Sequence, residues 1–349
     1  MDETRLSDVD GEQGRLIIAG SDVEQLAGSV PFEAVLERLW ATYLGETLPG
    51  DLRSALGRAR TRAWELLPRL GDALDAPDGM DALRGAASHL RATDDAVETG
   101  LLATGALAVF AAAWSRRRRG LEPIAPDASL EHAADLLRMT TGENTPARAE
   151  ALDAYLVTVS DHGMNASTFT ARVIASTGSD PISAVVGAIG ALKGPLHGGA
   201  PGPVLDMLDA VGAPENASGW LEAELLAGRR IMGMGHRIYR VRDPRAAVLE
   251  RAVERLERSG TQSQRLSLAR AVERAAEEVL RRKHPDRPLR ANVEFYTAVL
   301  LDAIGLDRTM FSPTFACGRV AGWLAHVAEQ RATGRLIRPA SRYIGPMPR

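Results

Sequence analysis

Three of the seven histidines sit where packing has little use for an imidazole. His197 lies in Lys193-Gly-Pro-Leu-His-Gly-Gly-Ala-Pro-Gly202, and His236 lies in Ile231-Met-Gly-Met-Gly-His-Arg-Ile-Tyr239. Glycines on either side let backbone approach a ligand and remove side chains that would shield the ring. His162 ends a helical pattern in Asp161-His-Gly-Met-Asn-Ala-Ser-Thr168. Any one of these, alone, reads as a satisfied structural histidine. Two in separate glycine-rich turns favour chemistry.

Charged residues add a second pattern. Arg245 follows Asp243-Pro244 in a first helical turn, where a cation is disfavoured by the helix dipole unless an anion binds there. Arg319 is one of very few charges in the apolar stretch Pro313 to Gln330, so burial demands a partner. Arg338 precedes Pro339 near the C-terminus. Each could be an ordinary salt bridge or a surface group; together they suit a small polycarboxylate, which guanidinium pairs bidentately. Glu294, between Val293 and Phe295, is either a surface glutamate or a carboxylate whose pKa is raised enough to act as a base. No HxH, HExxH or HxxxH pair occurs, so no metal is expected. Neither glycine-rich segment has the P-loop or dinucleotide-fold pattern.

The elements that must position these residues are helices. Leu, Ala and Val recur at spacings of three and four, which predicts helices over Phe32 to Tyr43, Asp51 to Leu67, Ala125 to Thr141, Arg148 to Ser160 and Arg265 to Lys283. Only Gly14 to Ala19 suggests a strand. Asp243-Pro244 and Ser312-Pro313 read as helix starts. Fifteen residues, Gly100 to Trp114, form the longest apolar run, short of the roughly 20 needed to cross a bilayer. A buried core helix is expected there, with Arg116 to Arg119 as its solvated end.

The 349 residues suffice for two or three domains, and the net charge of -3 gives no reason to expect nucleic acid or membrane as partner. Cys317 is the only cysteine, and the N-terminus shows no leader pattern; a cytoplasmic protein is expected. The Asn165-Ala-Ser and Asn216-Ala-Ser triplets fit the glycosylation pattern by chance.

Read in order, the blocks GRLIIAGSDVEQLA, HGMNASTFTAR, GPLHGGAPGPVLDML, IMGMGHRIYRVRDPRA, NVEFYTAVLLDAIGL and FACGRVAGWLAHVAEQ, followed by LIRPASRYIGP, resemble the citrate synthase family from about residue 14 onward. The resemblance implies an all-α homodimer with a large domain (1–198 and 306–349) and a small domain (199–305) closing over the site. It implies condensation of acetyl-CoA with oxaloacetate to citrate and free CoA through an enol, with no cofactor. By the same resemblance His197 stabilises the enol, His236 polarises the ketone and Glu294 takes the methyl proton. His162, His236, Arg245 and Arg319 hold oxaloacetate, with Arg338 reaching over from the other subunit, and Met232, Gly233, Met234 and Gly235 receive CoA. Three positions depart from the family pattern: Glu294 stands where Asp is usual, Gly163 where Glu is common, and Ala19-Gly20-Ser21-Asp22 where Arg-Gly-Tyr-Asp is expected. Two other readings stay open: 2-methylcitrate synthesis from propionyl-CoA, and a catalytically weak paralogue that binds CoA or oxaloacetate as a regulator.

Overall fold

Capping side chains mark out the helices in this computed structural model, which describes residues 3–197, 201–236, 238–260, 265–285 and 289–347. Asp51, Asp78, Asp95, Asn165, Asp180, Asp243 and Asn292 each accept a backbone N–H from the first turn that follows. A small antiparallel sheet precedes the helices: β1 (Ser7–Asp10), β2 (Arg15–Ile18) and β3 (Ser21–Asp22), in that order, with Ser7 opposite Ile18 and Ile17 opposite Asp22. Fifteen α-helices follow among the described residues. They are α1 (Val23–Leu26), α2 (Phe32–Leu44), α3 (Leu52–Trp64), α4 (Gly79–Ala87), α5 (Ala96–Arg118), α6 (His132–Thr141), α7 (Pro146–Val159), α8 (Ala166–Ser176) and α9 (Pro181–Leu192). The chain continues through α10 (Pro201–Val211), α11 (Ala217–Leu226), α12 (Pro244–Arg258), α13 (Arg265–Lys283), α14 (Val293–Ala303) and α15 (Phe311–Thr333).

Helices α5 and α15 are the axis of the larger packing unit. Helix α5 lies against α3, α4, α6 and α15, and α15 also packs on α2, α7, α8 and α9. Helix α5 is long and apolar enough to span a bilayer, yet 89% of its most apolar window is buried in the protein. A helix apolar all round is buried all round. Its terminal arginines bond carbonyls: Arg116 to Glu122, Arg118 to Pro77, and Arg119 to Ser115 and Thr140. Helices α10, α13 and α14 pack on one another and α11 packs on α13, while α12 lies on α14 but also on α7 and α1. The 198/199 point at which a small domain is expected to begin lies outside the described residues.

Three element boundaries differ from expectation. Residues 125–131 are not helical: α6 begins at His132, because Pro126 interrupts the pattern and the buried Arg60 bonds the carbonyls of Asp127 and Leu130. Helix α15 starts at Phe311 rather than after a Ser312 cap, so Pro313 sits within the first turn, where its missing N–H has no intrahelical carbonyl to bond. The sheet also has two strands, β1 and β3, beyond the one the sequence suggested.

Candidate active site

Each histidine is delivered by a turn whose hydrogen bonds fix its ring. The His236 Nδ1 accepts backbone N–H groups from Ile238 (3.0 Å) and Tyr239 (3.2 Å), which leaves the ring proton on Nε2. That Nε2 lies 3.5 Å from Arg245 Nη2, so two donors converge with no acceptor between them among the described residues. The His197 ring is fixed from the opposite side. Its Nε2 accepts the Ser167 N–H (3.3 Å) and lies 2.8 Å from Ser167 Oγ, leaving its proton on Nδ1. Ser167 is itself held by Trp323 Nε1 (3.1 Å) and Asn165 Oδ1 (2.8 Å). His162 is buried, with Nε2 3.1 Å from the Tyr239 hydroxyl and its ring 5.8 Å from that of His236.

Burial, with the nearby Arg319, pushes His197 down to about 4; burial and Arg245 do the same to His236 against the opposing pull of Asp243. His162 is held well below the usual histidine range by burial, Arg245, Arg319 and His236. All three rings are therefore neutral at neutral pH.

Glu294 opens α14, where Asn292 accepts its N–H (3.0 Å) and donates Nδ2 to the Gly235 carbonyl (2.8 Å). That second bond ties the helix carrying the carboxylate to the turn carrying His236. Burial raises the Glu294 carboxyl to about 7, with Asp243 adding to the rise and Arg245 and Arg319 opposing it. No hydrogen bond to the carboxylate is found among the described residues.

The two arginines are held differently. Arg245 pairs bidentately with its own cap, Nε to Asp243 Oδ1 (3.0 Å) and Nη2 to Oδ2 (2.8 Å), which accounts for a cation at a helix start. Burial alone would lower its pKa, but Asp243 outweighs it and holds the guanidinium above its ordinary value. Arg319 is 1% exposed, gives Nε to the Val159 carbonyl, lies 4.6 Å from the Phe315 ring centre, and leaves Nη2 buried with no partner among the described residues. Burial takes it down to about 10. A buried donor left unpaired costs about 1–3 kcal/mol unless something else completes it.

These groups share one cleft of about 490 Å³, lined by His162, His197, His236, Arg245, Glu294 and Arg319, with Met164, Leu196, Ile238, Val293 and Phe315 as apolar wall. A raised-pKa base, two neutral N–H donors and two guanidinium groups can anchor a dicarboxylate and take a proton from carbon beside a carbonyl. Arg338 is exposed on the C-terminal tail and does not line the cleft. Of the 232–235 turn only Gly235 reaches the wall. The turn pairs instead with 290–292: Asn292 N–H to Gly233 O (2.9 Å), Gly235 N–H to Arg290 O (2.7 Å). The glycines that follow His197 lie outside the described residues.

The family profile described as citrate synthase, C-terminal domain, matches residues 1–340. The chain belongs to the citrate synthase family. It is 39% identical over 353 residues to a putative citrate synthase 2 of Mycobacterium tuberculosis, covering 99% of this chain and 91% of that one. To the citrate synthase of Haloferax volcanii it is 37% identical (98% and 93% covered), and to a 2-methylcitrate synthase of Mycobacterium tuberculosis 39% (99% and 88%). Among solved structures, citrate synthase from Thermotoga maritima superposes with a TM-score of 0.84 at 33% identity, covering 100% of this chain and 94% of that one. A ternary complex of carboxymethyl coenzyme A and oxaloacetate with citrate synthase from Thermoplasma acidophilum gives 0.86 at 25% identity, with 100% and 95% covered. The family match begins at residue 1, so it takes in β1, which the sequence blocks had left out.

Within this citrate synthase-type enzyme the sequence reading missed the supporting residues. Ser167, Trp323, Asn292 and Tyr239 orient the histidines and the carboxylate. Asn165-Ala-Ser is the cap of α8, accepting N–H groups from Ser167 and Thr168 (both 3.1 Å), and so places Ser167 beneath His197. The capping pattern of Asn before a helix was the available signal. Cys317 plays no part: it is buried, and burial pushes its thiol up to about 12.

Proposed function

We propose that this protein condenses acetyl-CoA with oxaloacetate, giving citrate and free CoA. Arg245, Arg319 and His162 hold the oxaloacetate carboxylates, and Arg319 Nη2 acquires the acceptor it lacks. Glu294 removes a proton from the acetyl methyl group while His197 Nδ1–H donates to the thioester oxygen as it becomes an enol. The enol carbon attacks the oxaloacetate ketone carbon, and the ketone oxygen takes the proton of His236 Nε2 to become the hydroxyl of the product. Water then cleaves the thioester and releases CoA. The observation that carries this reading is the shared cleft: a carboxylate raised to about 7 faces two imidazoles, each with its second nitrogen locked by a backbone N–H.

The same proposal includes the 199–305 small domain, receipt of CoA by the 232–235 turn, no required cofactor, and a cytoplasmic homodimer in which Arg338 of one chain reaches the other's site. The exposed position of Arg338 on the tail suits such a reach. A second reading, 2-methylcitrate synthesis from propionyl-CoA, is favoured by the similarly close relative of that name. One methyl group in an apolar pocket is worth only about 1–3 kcal/mol of discrimination, so the motifs do not separate the two. The test is release of free thiol with acetyl- and propionyl-CoA, with and without oxaloacetate. Condensation requires both substrates, and the larger kcat/KM names the acyl group. Thiol release indifferent to oxaloacetate would contradict both readings.

A further inference from the structure

The N-terminal hairpin packs against the two chain segments that carry His162 and His236. At its base the Ser7 hydroxyl accepts the Gly163 N–H (3.0 Å) and faces the Asp161 carboxylate, so it brackets His162 from the residues on either side. Glu329 accepts the N–H of Arg5 (2.9 Å), which anchors the start of the hairpin to α15. Four residues after Ser7 the Gly11 carbonyl accepts the N–H of Arg240 (2.8 Å), two residues beyond the cleft-lining Ile238. Extended chain of that length spans roughly 13 Å. The turn between is closed by Asp10 Oδ1, which accepts from Glu12 (3.0 Å) and Gln13 (2.9 Å).

What the tip touches matters more than that it touches. Gly11 lies so close to Ile238 that an added Cβ would sit 2.3 Å from the Ile238 carbonyl oxygen. Gly14, at φ +65°, packs closely against the Val241 side chain. The Ile238 and Tyr239 N–H groups are the ones that fix the His236 tautomer, and the Tyr239 hydroxyl is the partner of His162. The hairpin therefore supports the peptide units that aim His236, from a base that holds His162.

We propose that this hairpin is a strut of the active site, with Ser7 and Gly11 as positioning residues that set His162 and His236 at their working separation. It rests on the condensation reading for its kinetic consequence, but not for its effect on the His236 ring. A shift of about 1 Å in a reacting group costs on the order of 10²-fold. Gly11→Ala is thus expected to lower kcat/KM for oxaloacetate by roughly 10- to 100-fold. Ser7→Ala should cause a smaller loss that Ser7→Thr restores, and Gln13→Ala, on the exposed face of the turn, should have no effect.

The experiment pairs these kinetics, per folded molecule, with the ¹⁵N signals of the His236 ring in the full-length protein. The expected result is a loss of the single Nε2–H tautomer in Gly11→Ala together with the kinetic loss. Should Gly11→Ala fail to fold, Ser7→Ala against Ser7→Thr decides, through KM for oxaloacetate. Unaltered ring signals and unaltered kcat and KM in both variants would overturn the strut, as would losses explained wholly by less folded protein. A wild-type protein that releases no CoA while its His236 tautomer still responds to Gly11→Ala would sink the condensation reading and leave the strut standing.

Discussion

Arg60 and Arg319 are equally buried, at 0% and 1% exposure, and live opposite lives. Arg60, on α3, is complete. Its Nε bonds Asp135 (2.7 Å), Nη1 lies 3.4 Å from His132 Nδ1, and Nη2 reaches the carbonyls of Asp127 (3.2 Å) and Leu130 (2.8 Å). Asp135 in turn accepts from Arg138 and from the Asp127 N–H. This network holds the extended segment 125–131 onto the bundle. Arg319 has one backbone carbonyl, an aromatic face and, at the cleft, an Nη2 with no partner among the described residues. The difference is between an arginine whose donors are met within the fold and one whose donor, on the proposed reading, is met by a ligand. A ring nitrogen of His132 is also unpaired beside Arg60, but a neutral imidazole costs far less there than a cation.

Changes on the cleft side should break chemistry and spare the fold, and changes on the Arg60 side should do the reverse. The largest expected effect is Glu294→Gln, which should lower turnover by roughly 10²–10⁴ while oxaloacetate binding, read by calorimetry, stays within a few-fold. Unchanged turnover would remove Glu294 from the mechanism. Arg60→Met leaves Asp135 buried against no guanidinium from α3 and should cost about 3–5 kcal/mol of stability in denaturant titrations, with activity per folded molecule preserved.

Smaller effects sharpen the contrast through pH. The Glu294 carboxyl, raised to about 7, must be ionised to act, so kcat/KM should rise with pH and level off above about 7. The histidines near 4 should add no further limb between neutral pH and pH 5. For stability the sign is opposite. A carboxyl whose folded pKa is raised binds its proton more tightly when folded, so stability falls as pH rises from its unfolded value toward 7 and stays low above. Glu294→Gln should thus be more stable than the parent at pH 8, by at most about 3 kcal/mol, and little changed at pH 4. Thermal melts at the two pH values check this; an equal shift at both would mean that Glu294 is not held at a raised pKa.

Much of the cleft was legible because its residues break rules. Histidines in glycine turns and a charge in an apolar helix are locally unfavourable, and such violations mark functional places; the cation at the helix start is instead met by its own cap, Asp243. The helices were legible for the opposite reason, since α13 and α2 keep one apolar stripe throughout. What stayed hidden depends on contacts distant in sequence. Ser167 under His197, and Gly11 against Ile238, are ordinary residues until the fold brings them together. Residues 125–131 kept a helical spacing of apolar groups, but Pro126 and the carbonyl demands of Arg60 won. Strand β1, Ser-Asp-Val-Asp, has too little apolar alternation to announce itself, and the pairing with β2 makes it.

On the proposed reading a dicarboxylate completes Arg319, whose Nη2 has no partner among the described residues. Titration calorimetry of oxaloacetate into the wild-type protein and into Arg319→Met, each also melted without ligand, tests it most directly. The variant is expected to lose affinity by about 2–5 kcal/mol while its unliganded melting temperature is equal or higher. Wild-type affinity in Arg319→Met, or a fold that collapses as it should for Arg60→Met, would contradict it.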